Sequence, residues 1–346
     1  MPETETELRI PEDYIVRMAE ELAGPQSLNL VEGDVLLINC DEWGLPLYQK
    51  LAKICADRGV ELRLAYIGTQ NIPEELKNLQ NRIDDGAFGE DSSELVVQEV
   101  ENIAGVHLND GANKVIALRG FPPLDLKDSE ISESLGELYE NASKKNRELR
   151  GPKDWIVILI PTPEEAKIIG LGYKEYLEMF FQAIDRDYER VYTEQSRLIE
   201  KLRVGKKLEI TQHNPDAPEG WQDTSLEIDI ENLSTDGRVN WANSTIRRNM
   251  PGSEIFTAPN KVNGVFTVFG PIAFAGEVLK GMKWVITDNG IDLDKLEILI
   301  EGEDPEEYTR ILGKVREELS KDKGARFIGE LGIGTNPVIQ GPQINA

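Results

Sequence analysis

Residues Asp34 to Cys40 read DVLLINC, an apolar run entered from an acidic residue and followed by Asp41 and Glu42. A strand with one wet face alternates apolar and polar residues, whereas one covered on both faces need not. The run therefore has the pattern of an inner strand of a parallel sheet. Outward from it, Leu45, Leu47, Leu51, Ile54 and Cys55 fall near helical spacing, and Gly59 closes the pattern. Glu61 to Tyr66 then opens another strand, with Leu62 and Leu64 alternating. This is a βαβ unit. Lys114 to Leu118 and Trp155 to Ile160 repeat the strand signal on either side of a helical stretch from Ile131 to Arg147, so the first half of the chain is expected to be α/β.

The first strand-to-helix turn, Asp41-Glu42-Trp43-Gly44, lacks the G-x-G-x-x-G spacing that lets backbone amides approach a pyrophosphate, which argues against a nucleotide-binding α/β protein. One long helix is expected from Tyr173 to Val204, carrying Leu177, Phe180, Phe181, Ile184, Val191 and Leu198 on one side and bridging two domains. Past Gly205 the texture changes to short alternating segments at Lys207 to Thr211, Ser225 to Ile230, Arg238 to Ala242 and beyond Gly252. Glu303 to Glu318 then shows one amphipathic helix with Pro305 near its start. The expected architecture is an N-terminal parallel-sheet α/β domain, 1–205, followed by a strand-rich α+β domain, 206–346.

The 346 residues carry 38 Lys and Arg against 63 Asp and Glu, a formal charge of −25 that repels phosphate backbones and opposes a nucleic-acid partner. The basic groups at Lys144, Lys145, Arg147 and Arg150, and at Lys201, Arg203, Lys206 and Lys207, fit solvated helix ends. The densest apolar run, Trp155 to Ile160, stops at Pro161, far short of a membrane span. Met1 to Glu7 is acidic where an export signal would be basic and then apolar, so a cytoplasmic location is expected. Cys40 and Cys55 lie on separate expected elements without metal-ligand spacing, and both are expected to be reduced core residues.

Two segments each set a single carboxylate among glycines and apolar residues. In TIRRNMPGSEIFTAP, Thr245 to Pro259, Pro251 and Gly252 make a tight turn just before Glu254. In GARFIGELGIGTNP, Gly324 to Pro337, Phe327 and Ile328 suggest strand, and Gly329, Gly332 and Gly334 leave little bulk around Glu330. Carboxylates so placed are expected to be poorly solvated and to need a cation or strong hydrogen bonds. Spacing alone leaves two other readings open: solvent-facing strand residues, or ion pairs with Arg247, Arg248 or Arg326. The glycine-rich second segment lacks the closing Lys-Ser/Thr of a phosphate loop.

With Val262-Asn-Gly264, Phe269 to Ile272 and Leu279 to Gly290, these segments resemble the metal-dependent aminopeptidase family of aminopeptidase T, aminopeptidase S and PepS, most closely from Thr245 to Pro337. The resemblance implies removal of N-terminal residues from short peptides, two divalent metal ions (zinc, cobalt or manganese), Glu254 and Glu330 as ligands lying close together, and a homodimer. The family pattern continues with a histidine ligand, a catalytic tyrosine and a His-x-Asp pair. In this sequence the only histidines, His107 and His213, precede both motifs and match no ligand position. The metal centre is therefore expected to be incomplete in the chain as given, with domain 206–346 short at its C-terminal end and the chain poor in metal. The alternative reading is a non-catalytic peptide-binding or scaffold protein derived from that family.

Overall fold

The computed structural model describes residues 10–25, 27–68, 71–88, 93–120, 131–231, 241–244, 248–302 and 304–338. The expected strand at Arg238 lies partly outside these residues, as do Thr245 to Arg247 of the first motif. The fold is mixed α/β in two compact units. One comprises 1–167, 172–186 and 246–252, and the other comprises 168–171, 187–245 and 253–346. The boundary expected between 205 and 206 falls inside the second unit.

The first unit is built on the DVLLINC strand, β1 (Val35–Cys40). On one side it pairs in parallel with β2 (Glu61–Tyr66), and on the other with β3 (Lys114–Gly120). β4 (Asp154–Ile160) and a three-residue strand, β8 (Arg248–Met250), extend the sheet in the order β2-β1-β3-β4-β8, all parallel. Leu36, Leu37, Ile38, Ile116 and Ile156 have no exposed surface, as an inner strand run demands. Helix α1 (Glu12–Ala23) packs on α2 (Leu45–Arg58), which ends at Gly59, φ +68. Helices α3 (Asn71–Asp84), α4 (Ser93–Ile103) and α5 (Glu133–Arg150) share an apolar cluster through Leu76, Val100 and Tyr139.

At the carboxyl ends of β1 and β3, where an open parallel sheet reverses its strand order and holds ligands, this chain is pinned shut. Asp41 accepts hydrogen bonds from Trp43 N at 3.0 Å, Gly44 N at 3.2 Å and Gly120 N at 2.6 Å. A Cβ on Gly120 would stand 2.4 Å from the Trp43 ring, so the indole lies directly over that glycine. Asp41 is thus a structural tie between two strand ends. Cys40 and Cys55 are free and buried, and burial pushes their thiols up to about 12 and about 11, out of the reactive range.

After β4 the short helix α6 (Pro163–Ile168) starts with a reciprocal cap. Thr162 Oγ1 accepts from Glu165 N at 3.2 Å, and the Glu165 carboxylate accepts from Thr162 N. The single long helix expected from Tyr173 is instead two helices, α7 (Tyr173–Ile184) and α8 (Tyr188–Arg203). The break falls at Asp185 to Asp187, where the Asp187 side chain accepts from Arg190 N at 3.0 Å and starts a new helix.

Helix α8 belongs to the second unit. There β5 (Lys207–His213) and β6 (Asp223–Asp229) join the long hairpin of β10 (Lys261–Phe274) and β11 (Glu277–Thr287) in an antiparallel sheet. This sheet is completed by β12 (Gly290–Ile291), with β13 (Glu297–Leu299) also pairing with β11. The helix expected from Glu303 is α9 (Pro305–Glu318), capped by Asp304. A second, three-stranded sheet has β9 (Glu254–Thr257) at its centre, between β7 (Ala242–Ser244) and β14 (Leu331–Gly334), both antiparallel to it. Phe327 makes an isolated antiparallel bridge to Gly290, and regular pairing begins only at Leu331, so the strand expected at Phe327 and Ile328 is displaced by four residues. Ile328 is held there from the side, its N–H donating to Asn289 O and its carbonyl accepting from Asn289 Nδ2.

Candidate metal centre

The three-stranded sheet brings the two motif glutamates together. β9 and β14 run in the register Glu254↔Gly334, Ile255↔Ile333 and Phe256↔Gly332. Alternation sends Ile255, Leu331 and Ile333 to the core face, where Ile255 is fully buried and packs in the same cluster as Ile199 of α8. The same alternation puts Glu254, Gly334, Gly332 and, one residue before the strand, Glu330 on the opposite face. Phe256 lies on this face too, directly across from Gly332, so the glycines clear only the β14 side of the space beside Glu254. A Cβ at Gly332 would lie 3.2 Å from Glu254 Oε2, so the absent methyl is the space the carboxylate leans into.

Glu254 is half-buried and Glu330 exposed. Burial first, and the neighbouring Glu330 charge second, hold the Glu254 carboxyl above the usual carboxylate range. The expectation that both carboxylates are poorly solvated holds for Glu254 and fails for Glu330. Glycines contribute no side chain to cover a neighbour, and a Cβ at Gly329 or Gly334 would meet nothing within 4 Å. Among the described residues neither carboxylate has a cationic partner; Arg326 lies instead over the Phe327 ring.

Two carboxylates near enough for the charge of one to raise the pKa of the other offer oxygen donors that suit a hard or borderline divalent cation. As a donor set they are partial. Among the described residues no group of three or more His, Cys, Asp or Glu is placed to hold a metal. His107 lies in the turn at Val106–Asn109 and His213 pairs with Asp223 at 2.7 Å, so neither histidine completes a cluster with the glutamates. A cavity of about 520 Å³ at the end of α9, lined by Leu293, Leu319 and Arg326 among others, shares no residue with the glutamate face.

Sequence reasoning missed what lies beneath the site. Gln195 of α8 is 1% exposed on a helix face otherwise carrying Val191 and Ile199, and its Nε2 donates to Glu254 O at 3.2 Å and to Thr335 Oγ1 at 3.0 Å. A glutamine in the apolar stripe of an amphipathic helix was the available signal.

A sequence profile of the thermophilic metalloprotease (M29) family matches residues 14–343. Wild-type AmpT from Thermus thermophilus superposes with a TM-score of 0.60 at 17% identity, covering 93% of this chain and 78% of that one, which shows a shared fold. No match is found among curated protein sequences.

Proposed function

Because the chain belongs to the M29 family of thermophilic metalloproteases and is by that membership a metallo-aminopeptidase, we propose that Glu254 and Glu330 are carboxylate ligands of its divalent metal ions. Its substrates are short peptides with a free N-terminus. The observations that support the site are the β9–β14 pairing, which leaves Gly332 open beside the Glu254 carboxylate, and a Glu330 charge near enough to raise the Glu254 pKa.

Zinc, cobalt or manganese at a two-ion centre would polarise the scissile carbonyl and bring the pKa of bound water toward ~7. Glu254, fixed on a central strand and backed by a buried Ile255, offers oxygen donors whose position the backbone sets. Glu330, exposed on the same face, is open to ligands arriving from solvent. A carboxylate oxygen left free of the cations can take a proton from water and hand it to the leaving amine. Two acidic groups without a cationic partner among the described residues also favour the ammonium end of a peptide over its carboxylate end. Among the described residues no third His, Cys, Asp or Glu joins the two glutamates in a group placed to hold a metal. A homodimer is proposed on the same family grounds. No described helix is long and apolar enough to cross a membrane, and the acidic surface accords with a protein that engages neither membrane nor nucleic acid.

The test is release of p-nitroaniline from leucine p-nitroanilide by the full-length protein. Activity should vanish on dialysis against a chelator and return with at least one of zinc, cobalt or manganese. The N-acetylated substrate should be inert. Glu330→Gln should lower turnover at least about 100-fold. Chelator-insensitive hydrolysis, or equal cleavage of the acetylated substrate, would sink the reading.

A further inference from the structure

We infer that Gln195 is a positioning residue for the Glu254 carboxylate, acting through the backbone on both sides of the Glu254 Cα. The inference rests on the reading of Glu254 as a metal ligand. A buried primary amide is expensive unless its hydrogens are used, and here both donors of Nε2 have acceptors: Glu254 O at 3.2 Å and Thr335 Oγ1 at 3.0 Å. Thr335 passes the constraint on, since its Oγ1 and its N–H both donate to Ser253 O at 2.7 Å.

The two carbonyls held in this way belong to the peptide groups immediately before and after the Glu254 Cα. Clamping both planes fixes φ and ψ of Glu254 and therefore the direction in which its Cα–Cβ bond leaves the strand. The clamp is anchored in α8, whose Ile199 packs in the same core cluster as Ile255. It also ties the end of β14 to the start of β9 at the point where Ser253 takes φ +74, so the glycine gap at Gly332 stays opposite Glu254 Oε2. A purely structural glutamine would need only to satisfy its own amide. This one spends both hydrogens on the chain segments that carry the glutamate pair.

The experiment compares the full-length parent protein with Gln195→Met, which keeps length and apolar volume but removes both donors, with Thr335→Val, which removes the hydroxyl, and with Thr335→Ser, which restores it. Each is confirmed folded by circular dichroism, and its cobalt(II) affinity is measured by competition with a chromophoric chelator. Steady-state kcat and KM on leucine p-nitroanilide are measured alongside. Gln195→Met and Thr335→Val should weaken cobalt binding about tenfold or more, the scale seen when groups supporting a ligand are removed, and lower kcat while KM stays within about twofold. Thr335→Ser should return both to near the parental value. Glu254→Gln is the control on which the inference depends. If it loses affinity while Gln195→Met and Thr335→Val bind cobalt as the parent does, Gln195 is a core residue only and the inference fails. If Glu254→Gln itself binds cobalt like the parent, or the parent binds none, the ligand assignment fails and the inference falls with it. Should Gln195→Met not fold, the Thr335 pair decides alone.

Discussion

The Cβ that Gly332 lacks would stand 3.2 Å from Glu254 Oε2, and the glycine has no left-handed backbone that would strain an alanine there. Gly332→Ala should therefore leave thermal stability unchanged or raise it by up to about 1 kcal/mol, through a less entropic unfolded chain. By displacing the carboxylate a few tenths of an ångström it should weaken divalent-metal affinity several-fold. Calorimetric unfolding beside a metal titration separates the two, and a parallel loss of both would contradict the account. Glu165, buried in the first unit, gives a pH test. Burial raises its pKa, outweighing the hydrogen bonds from the Tyr176 phenol and the Thr162 amide. A folded pKa above the unfolded one means that the stability from the neutral carboxyl is fully present below the unfolded value, near ~4.3, and is lost as pH rises through the folded value. Glu165→Gln stays neutral throughout, so its stability relative to the parent should climb as pH rises above about 4; a difference that stays flat with rising pH would refute the assignment. At this scale the proposal of the two glutamates as ligands comes from motif resemblance. The sequence could not carry the exposure of Glu330, because glycine-rich surroundings leave a side chain as open as they leave it unobstructed.

Among the elements, the apolar runs of β1, β3 and β4 were legible because a strand covered on both faces needs no polar alternation. The join of α7 and α8 was not, since the apolar stripe from Leu177 to Leu198 continues in phase across it. The discriminating signal is local: the Asp187 carboxylate competes with helix continuation by accepting from Arg190 N. Asp187→Ala should cost about 1 kcal/mol in urea unfolding; no loss would mean that the break is imposed by packing alone. β8 was equally hidden. Three residues, Arg248–Met250, add to the parallel sheet beside β4, and the chain then turns through Gly252 and Ser253, both at positive φ, into β9. A motif picked out for its glutamate thus also supplies an edge strand, which no periodicity over three residues could reveal. Asp41 was hidden in the same way, a turn carboxylate that fastens two strand ends in the fold. Asp41→Ala takes the side-chain acceptor from the Trp43 and Gly120 amides, while Gly44 N keeps the Asp41 carbonyl, and should lose about 2 kcal/mol, read from the urea midpoint.

For the whole molecule the governing quantity is the charge of −25. Exposed ion pairs such as Lys207 with Glu227, or Arg310 and Lys314 with Glu277, are each worth little and weaken with salt. The uncompensated acidic excess repels itself, and screening relieves that repulsion as the Debye length falls from about 8 Å to about 3 Å between 0.15 and 1 M salt. Thermal stability should therefore rise with added potassium chloride; a fall would mean that the ion pairs outweigh the net repulsion. The proposed metal centre draws carboxylate ligands from Glu254 of β9 and Glu330 just before β14. Its most direct test is a crystal of the full-length protein soaked in manganese(II), with anomalous differences measured near the manganese edge. The account expects a peak within about 2.0–2.6 Å of a carboxylate oxygen from each glutamate, vanishing in Glu254→Gln. A manganese peak bound elsewhere, with the two carboxylates pointing to solvent and no density between them, would contradict it.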